Sequence, residues 1–253
     1  TAGKTGTEGA MKSCLQPGRS GHHTKNLLYR QQTTMNDPRL SLPWQTKPTD
    51  RFVLKWIKIH LSARITPRLL KMSWVEPWLL TLLSSCIGVL SGLIFACGFG
   101  FAGGCVAALS QVLDGVDGQF ARLTGKESKG GAFLDSVMDR YADGAMVMGV
   151  AVYLVRLSLP VPLWFLLALG SAALIGSNLI SYSSARAENL GIELGPPTLA
   201  SKGTRISVII LCGLGSLVWP SMPILALGYL ALHPNLVIAG RLVRAAKASG
   251  NRN

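Results

Sequence analysis

The chain has 253 residues, 49% of them hydrophobic and only 15% charged, and its 25 Lys and Arg outnumber its 12 Asp and Glu to give a formal net charge of +13. Long apolar runs begin only after residue 73, the pattern of a membrane protein with a basic front end. The basic excess flanks those runs, as cytoplasmic Lys and Arg do, which argues against a nucleic-acid partner.

In chain order, residues 1–48 show no usable periodicity and are rich in Gly, Thr, Ser, Gln and Lys, the composition of a disordered basic tail. Residues 49–72 interleave Phe52, Trp56, Ile59, Ile65 and Leu69 with Lys55, Lys58, Arg64, Arg68 and Lys71. That alternation predicts a juxtamembrane amphipathic helix lying on the membrane surface, broken or kinked at Pro67. Six apolar segments follow, near 77–97, 101–123, 130–156, 161–183, 204–219 and 222–241. Each is about long enough to cross a hydrocarbon core. The reading is an all-α membrane protein with a six-helix transmembrane catalytic domain over 73–247 and a short tail at 248–253. Gly88 with Gly92, and Gly104 with Ala108, have the small-residue spacing of close helix contacts. Cys86, Cys97, Cys105 and Cys212 lie inside apolar runs, form no CxxC pair, and read as small buried hydrophobes.

Charge asymmetry supplies an orientation. The connections near 98–100 and 219–222 carry no Lys or Arg, whereas those near 122–129 and 184–205 carry Arg122, Lys126, Lys129, Arg186, Lys202 and Arg205. With the basic N-terminal region and Arg241, Arg244 and Lys247 near the other end, this predicts a multi-pass protein with both termini in the cytoplasm.

The acidic residues are few, and four aspartates share one short stretch: Asp114, Asp117, Asp135 and Asp139. Carboxylates beside hydrocarbon are costly unless they bind something cationic. A spacing of three puts Asp114 and Asp117 on one helix face, and a spacing of four does the same for Asp135 and Asp139. The short connection predicts antiparallel neighbouring helices whose acids converge. Mutual repulsion would then call for divalent hard cations with oxygen ligands.

The stretch Asp114, Asp117-Gly118, Ala121-Arg122, Gly131, Asp135, Asp139 resembles the signature of the CDP-alcohol phosphotransferase family at every fixed position. The resemblance implies metal-dependent transfer of a phosphoalcohol group from a CDP-linked donor to an acceptor alcohol, with release of CMP. It implies two Mg2+ or Mn2+ ions held by Asp114, Asp117, Asp135 and Asp139, and Asp139 as the general base. It places Asp114, Asp117, Gly118, Ala121, Arg122 and Gly131 at the CDP moiety, and it implies a homodimer in the bilayer. The active site would face the cytoplasm.

The wording of the motif is similar to the inositol-phosphate-using branch. Tyr182-Ser183-Ser184-Ala185-Arg186 followed by Ser201-Lys202-Gly203-Thr204-Arg205 resembles that branch's acceptor region, so Arg186, Lys202 and Arg205 are candidates to hold a phosphorylated acceptor. Two departures stand out: Ser184 where a lysine is common, and Glu76-Pro77-Trp78 where the family tends to Thr-Pro-Asn. A phosphatidylglycerol phosphate synthase-type activity is the alternative within the family. A cation-binding transporter is the alternative outside it.

Overall fold

The structure is a computed structural model that describes residues 52–72, 74–192, 194 and 198–250. The expected tail at 1–48 and residues 251–253 lie outside the described residues. Every regular element among the described residues is helical. A first stretch comprises α1 (Phe52–Ile57), a π-helical turn (Lys58–Ser62) and α2 (Ala63–Leu69). Six longer helices follow: α3 (Pro77–Ala96), α4 (Gly100–Thr124), α5 (Lys129–Arg156), α6 (Leu163–Leu190), α7 (Lys202–Gly215) and α8 (Pro223–Gly250). Of the expected tail at 248–253, residues up to Gly250 belong to α8.

Local sequence sets the boundaries. Pro77 occupies the first position of α3 after the extended Glu76, where its missing N–H costs nothing. Gly125 and Gly191 end α4 and α6 in the left-handed conformation, which glycine adopts without strain. Ser128 caps α5, its hydroxyl accepting from the Gly131 N–H at 3.0 Å; this satisfies a donor that the first turn would leave orphaned. Pro67 neither breaks nor begins α2 but lies inside it, and the helix stops at Leu69.

Three of the helices are long and apolar enough to cross a membrane: Pro77–Ala96, Leu163–Leu190 and Pro223–Ala246. Their outer faces expose Leu83, Leu93, Leu167, Ile175, Leu232 and Leu236, a surface suited to lipid. The expectation of buried cysteines is corrected: Cys86, Cys97 and Cys105 are exposed, and among the described cysteines only Cys212 is buried. Outward and inward faces are both apolar here, so hydropathy alone does not tell them apart.

The stretch 52–69 packs on protein more closely than an amphipathic pattern suggests. Ser62 and Thr66 are fully buried, and their hydroxyls donate to Val112 O (2.7 Å) and to Gln119 Oε1 (2.8 Å) of α4. Lys55, Arg64, Arg68 and Lys71 stay on the exposed side. The contact face thus mixes these hydroxyls with Ile57, Leu61, Ile65 and Leu69, which pack on the core, and an apolar periodicity shows only the second part of it.

α3 makes its main contacts with both α4 and α5, while α4 and α5 scarcely touch each other. The expectation of two directly packed neighbours is corrected: α3 bridges them. Small residues allow this. A Cβ on Gly92 would collide with the Ala145 carbonyl of α5, and one on Gly104 would come within 2.8 Å of the Gly213 backbone of α7. The remaining helices close the bundle through α6 against α8 and α4 against α7, around a core that includes Phe95, Met146, Leu154, Ile209 and Leu227.

Candidate active site

The motif end of the bundle gathers ends of α3, α4, α5 and α7. One carboxylate oxygen from each of Asp114, Asp135 and Asp139 lies within 4.8 Å of the others. Oxygens at this separation suit a shared hard cation, which takes several carboxylate ligands at short range. Asp117 is 6% exposed and stands slightly apart from that trio. Its Oδ2 is buried without a hydrogen-bond partner, a costly arrangement for a carboxylate that has no cation to meet. The donor set, all oxygen and all anionic, therefore fits divalent ions of the magnesium and manganese type.

Asp117 and Asp135 also line a cavity of about 210 Å3 together with Gly118, Ala121, Arg122 and Gly131. Five of the six residues expected at a CDP moiety, all but Asp114, thus form one wall system. A Cβ on Gly118 would meet nothing nearer than the Arg122 guanidinium at 3.5 Å, so Gly118 leaves open room where a ligand can approach the backbone. Arg122 folds back one turn toward it, a fixed cation suited to a diphosphate. Trp78 and Thr81 of α3 complete the wall, and Lys126 at the mouth pairs with Glu76 at 2.7 Å.

The three expected acceptor residues do not converge. The Lys202 ammonium sits 2.9 Å from Asp114 Oδ1 and 2.6 Å from Asp139 Oδ1. Arg205 is 1% exposed, donates to Ser177 O and lies 3.6 Å from Asp143 Oδ2. Arg186 lines a separate cavity of about 270 Å3 with Tyr182, Leu190, Arg241 and Arg244. Its position on α6 explains the separation. Ser181 faces Arg205 and Arg140, and five residues further on the helix has turned through about 140°.

Three residues outside the expected set join this end. Arg140 donates to Ser181 and lies 3.8 Å from Asp143 Oδ2 and 4.0 Å from Asp139 Oδ2. Asp143 is buried between the two guanidinium groups of Arg140 and Arg205; one turn beyond Asp139, it continues the acidic stripe that the sequence shows, and its pairing with Arg140 is legible from that spacing. Arg241 donates to Ile180 O at 3.1 Å, to Ser184 Oγ at 3.1 Å and to Ser183 Oγ. In the sequence Arg241 is indistinguishable from a residue that merely sets topology.

Residues 74–233 match the family model for CDP-alcohol phosphatidyltransferase. The chain belongs to this family. Its enzymes are transferases of the CDP-alcohol phosphotransferase type, and this membership displaces the transporter reading. The chain is 37% identical over 158 residues to the archaetidylinositol phosphate synthase of Pyrococcus horikoshii, covering 62% of this chain and 73% of that one. It is 32% identical over 210 residues to the phosphatidylinositol phosphate synthase of Cutibacterium acnes, covering 79% and 98%. A bifunctional IPC transferase and DIPP synthase of Thermococcus kodakarensis is 34% identical over 137 residues, 54% of this chain; the match spans only 30% of that longer protein.

Among solved structures, the phosphatidylinositol phosphate synthase of Mycobacterium tuberculosis with CDP-DAG bound superposes with a TM-score of 0.62 at 27% identity, covering 72% of this chain and 92% of that one. The same enzyme in complex with manganese and citrate also gives 0.62, covering 72% and 87%. These relatives form the inositol-phosphate-using branch.

Proposed function

We propose that this chain transfers a phosphatidyl-type phosphoalcohol group from a CDP-linked lipid donor to an inositol phosphate, releasing CMP. The observation that carries the reading is the meeting of the Asp114, Asp135 and Asp139 carboxylates beside a cavity walled by Asp117, Gly118, Ala121, Arg122 and Gly131. The inositol phosphate acceptor is inferred from the relatives, and the lipid donor from the bound ligand of the solved one.

Asp114, Asp117, Asp135 and Asp139 would hold two Mg2+ or Mn2+ ions. When bound, such ions neutralise the diphosphate and the charge that develops during transfer. Arg122 grips the diphosphate from the α4 side, and Gly118 and Gly131 let the nucleotide lie close to backbone. Asp139 accepts the proton of the acceptor hydroxyl. The acceptor oxygen then forms a bond to the phosphorus that bears the alcohol, and the bond from that phosphorus to the bridging oxygen breaks. CMP departs with the bridging oxygen. Lys202, in contact with Asp139 and partly exposed, is the cation on the α7 side placed to meet an incoming acceptor phosphate; Arg205, buried against Asp143, would support that side from behind, and Arg186 would act only as a more distant attraction.

Six spans over 73–247, both termini and the site on the cytoplasmic side, and a homodimer complete the reading. All of the acidic motif lies at one end of the bundle, the end that carries Lys126, Lys129, Lys202 and Arg244. Exposed tryptophans occur near both ends: Trp74 and Trp78 at the motif end, Trp164 and Trp219 at the other. Two such levels match the two membrane interfaces. The test is CMP release by purified protein with a panel of CDP-linked donors and acceptors, with Mg2+, with Mn2+ and with chelator. Release that needs neither a divalent ion nor an acceptor alcohol would sink the proposal.

A further inference from the structure

Lys202 is the first residue of α7, whose opening turn also carries Arg205 and no acidic residue. A helix N-terminus disfavours cations, so the helix itself does not explain a lysine there. The carboxylates do. The ammonium bridges Asp114 of α4 and Asp139 of α5 at 2.9 and 2.6 Å, and those are two of the three acids that cluster. The side chain keeps 23% of its surface exposed, so it has a way out.

We infer that Lys202 is a tethered counter-ion of this carboxylate cluster that competes with the divalent ion and turns out of the cluster as the ion loads. The inference rests on the reading of the cluster as a metal site. Hard ions sit roughly 2.0–2.6 Å from carboxylate oxygens. An ammonium in hydrogen-bond contact with Oδ1 of both Asp114 and Asp139 occupies the same coordination shell, and two cations so close repel strongly where little water screens them. Lys202 therefore lowers the affinity of the site for metal. Once displaced, its ammonium is free to meet an anionic acceptor on the α7 side, so metal binding prepares the acceptor side.

Mn2+ alone is the probe. Full-chain protein in detergent is titrated with Mn2+, and free ion is followed by its paramagnetic resonance signal. Lys202→Met is expected to bind Mn2+ at least about fivefold more tightly than the wild type, the scale of removing one nearby positive charge. Wild-type binding that the substitution leaves unchanged or weakens overturns the inference alone. No Mn2+ uptake by wild type or variant overturns the metal-site reading and the inference with it. Should the variant fail to fold, the wild type still answers. An amine-acylating reagent followed by peptide mass spectrometry should label Lys202 several-fold more when Mn2+ is added, with Lys126 as the internal reference. Labelling that is unchanged or reduced overturns the inference.

Discussion

Two regions of the bundle solve opposite problems. In the apolar half, α3 and α5 approach until backbone meets backbone at Gly92, Ala145 and Gly149, and close dispersion contact holds the helices. At the motif end the same α3 keeps α4 and α5 apart, and the gap holds a cavity of about 210 Å3 rimmed by acids. Direct packing of α4 on α5 would press four carboxylates together with no room for counter-charge. The difference shows how one helix serves as spacer: small residues fix its depth in the core, and that depth sets the width of the site.

The largest effects should come from the charged end. We expect Asp139→Asn to reduce CMP release by about 10²–10⁴-fold, the usual contribution of a positioned general base, with the thermal midpoint in detergent close to wild type. Near-normal turnover would remove Asp139 from that role and leave the cluster as a metal site only. Next comes the buried charge group. Asp143 lies between Arg140 and Arg205 with neither carboxylate oxygen hydrogen-bonded. Asp143→Asn should cost about 3–5 kcal/mol of stability by leaving the buried Arg205 uncompensated. The double change Asp143→Asn with Arg205→Met should recover much of that loss. Equal unfolding midpoints for single and double variants would show that the pairing is incidental.

Much of this charged end was legible before any coordinates. The spacing of Asp114, Asp117, Asp135 and Asp139 fixed which faces carry acid, because helical periodicity is a local property. Gly118, Ala121, Arg122 and Gly131 came with the same motif. The position of α3 was not legible: which helix lies between α4 and α5 depends on long-range packing that no local period encodes. Arg205 and Arg186 looked alike as basic residues near helix ends, yet one is buried against Asp143 and the other is exposed. The polar contact through Ser62 and Thr66 was hidden for a related reason. Hydroxyls do not register in an apolar stripe even when, as here, they share the packing surface with Ile57, Leu61 and Ile65.

A matched pair of glycine substitutions sharpens the comparison between the two regions. Gly92→Ala puts a methyl group against the Ala145 carbonyl and should cost about 1–3 kcal/mol, as overpacking does; the donor KM of whatever folds should stay near wild type. Gly118→Ala faces open cavity. Its unfolding midpoint should be unchanged while the donor KM rises several-fold. If both variants lost stability equally, the motif end would be packed like the core, and the idea of α3 as a spacer would fail.

The smallest effect belongs to the exposed pair of Glu76 and Lys126, whose side chains are 43% and 44% exposed at the mouth of the cavity. Exposed ion pairs contribute about 0–1 kcal/mol, so Glu76→Gln should leave the unfolding midpoint where it is. Lys126 lines the donor cavity as well, and freeing it from Glu76 makes its charge available to an entering diphosphate. Glu76→Gln should therefore lower the donor KM slightly, and Lys126→Ala should raise it, both effects shrinking as salt is added. Opposite signs on the same kinetic constant at constant stability would show that the pair regulates entry to the site and does not brace the fold. Parallel losses of stability would show instead that the mouth is held together by this contact, and that the boundary between packed core and open site lies deeper than Lys126.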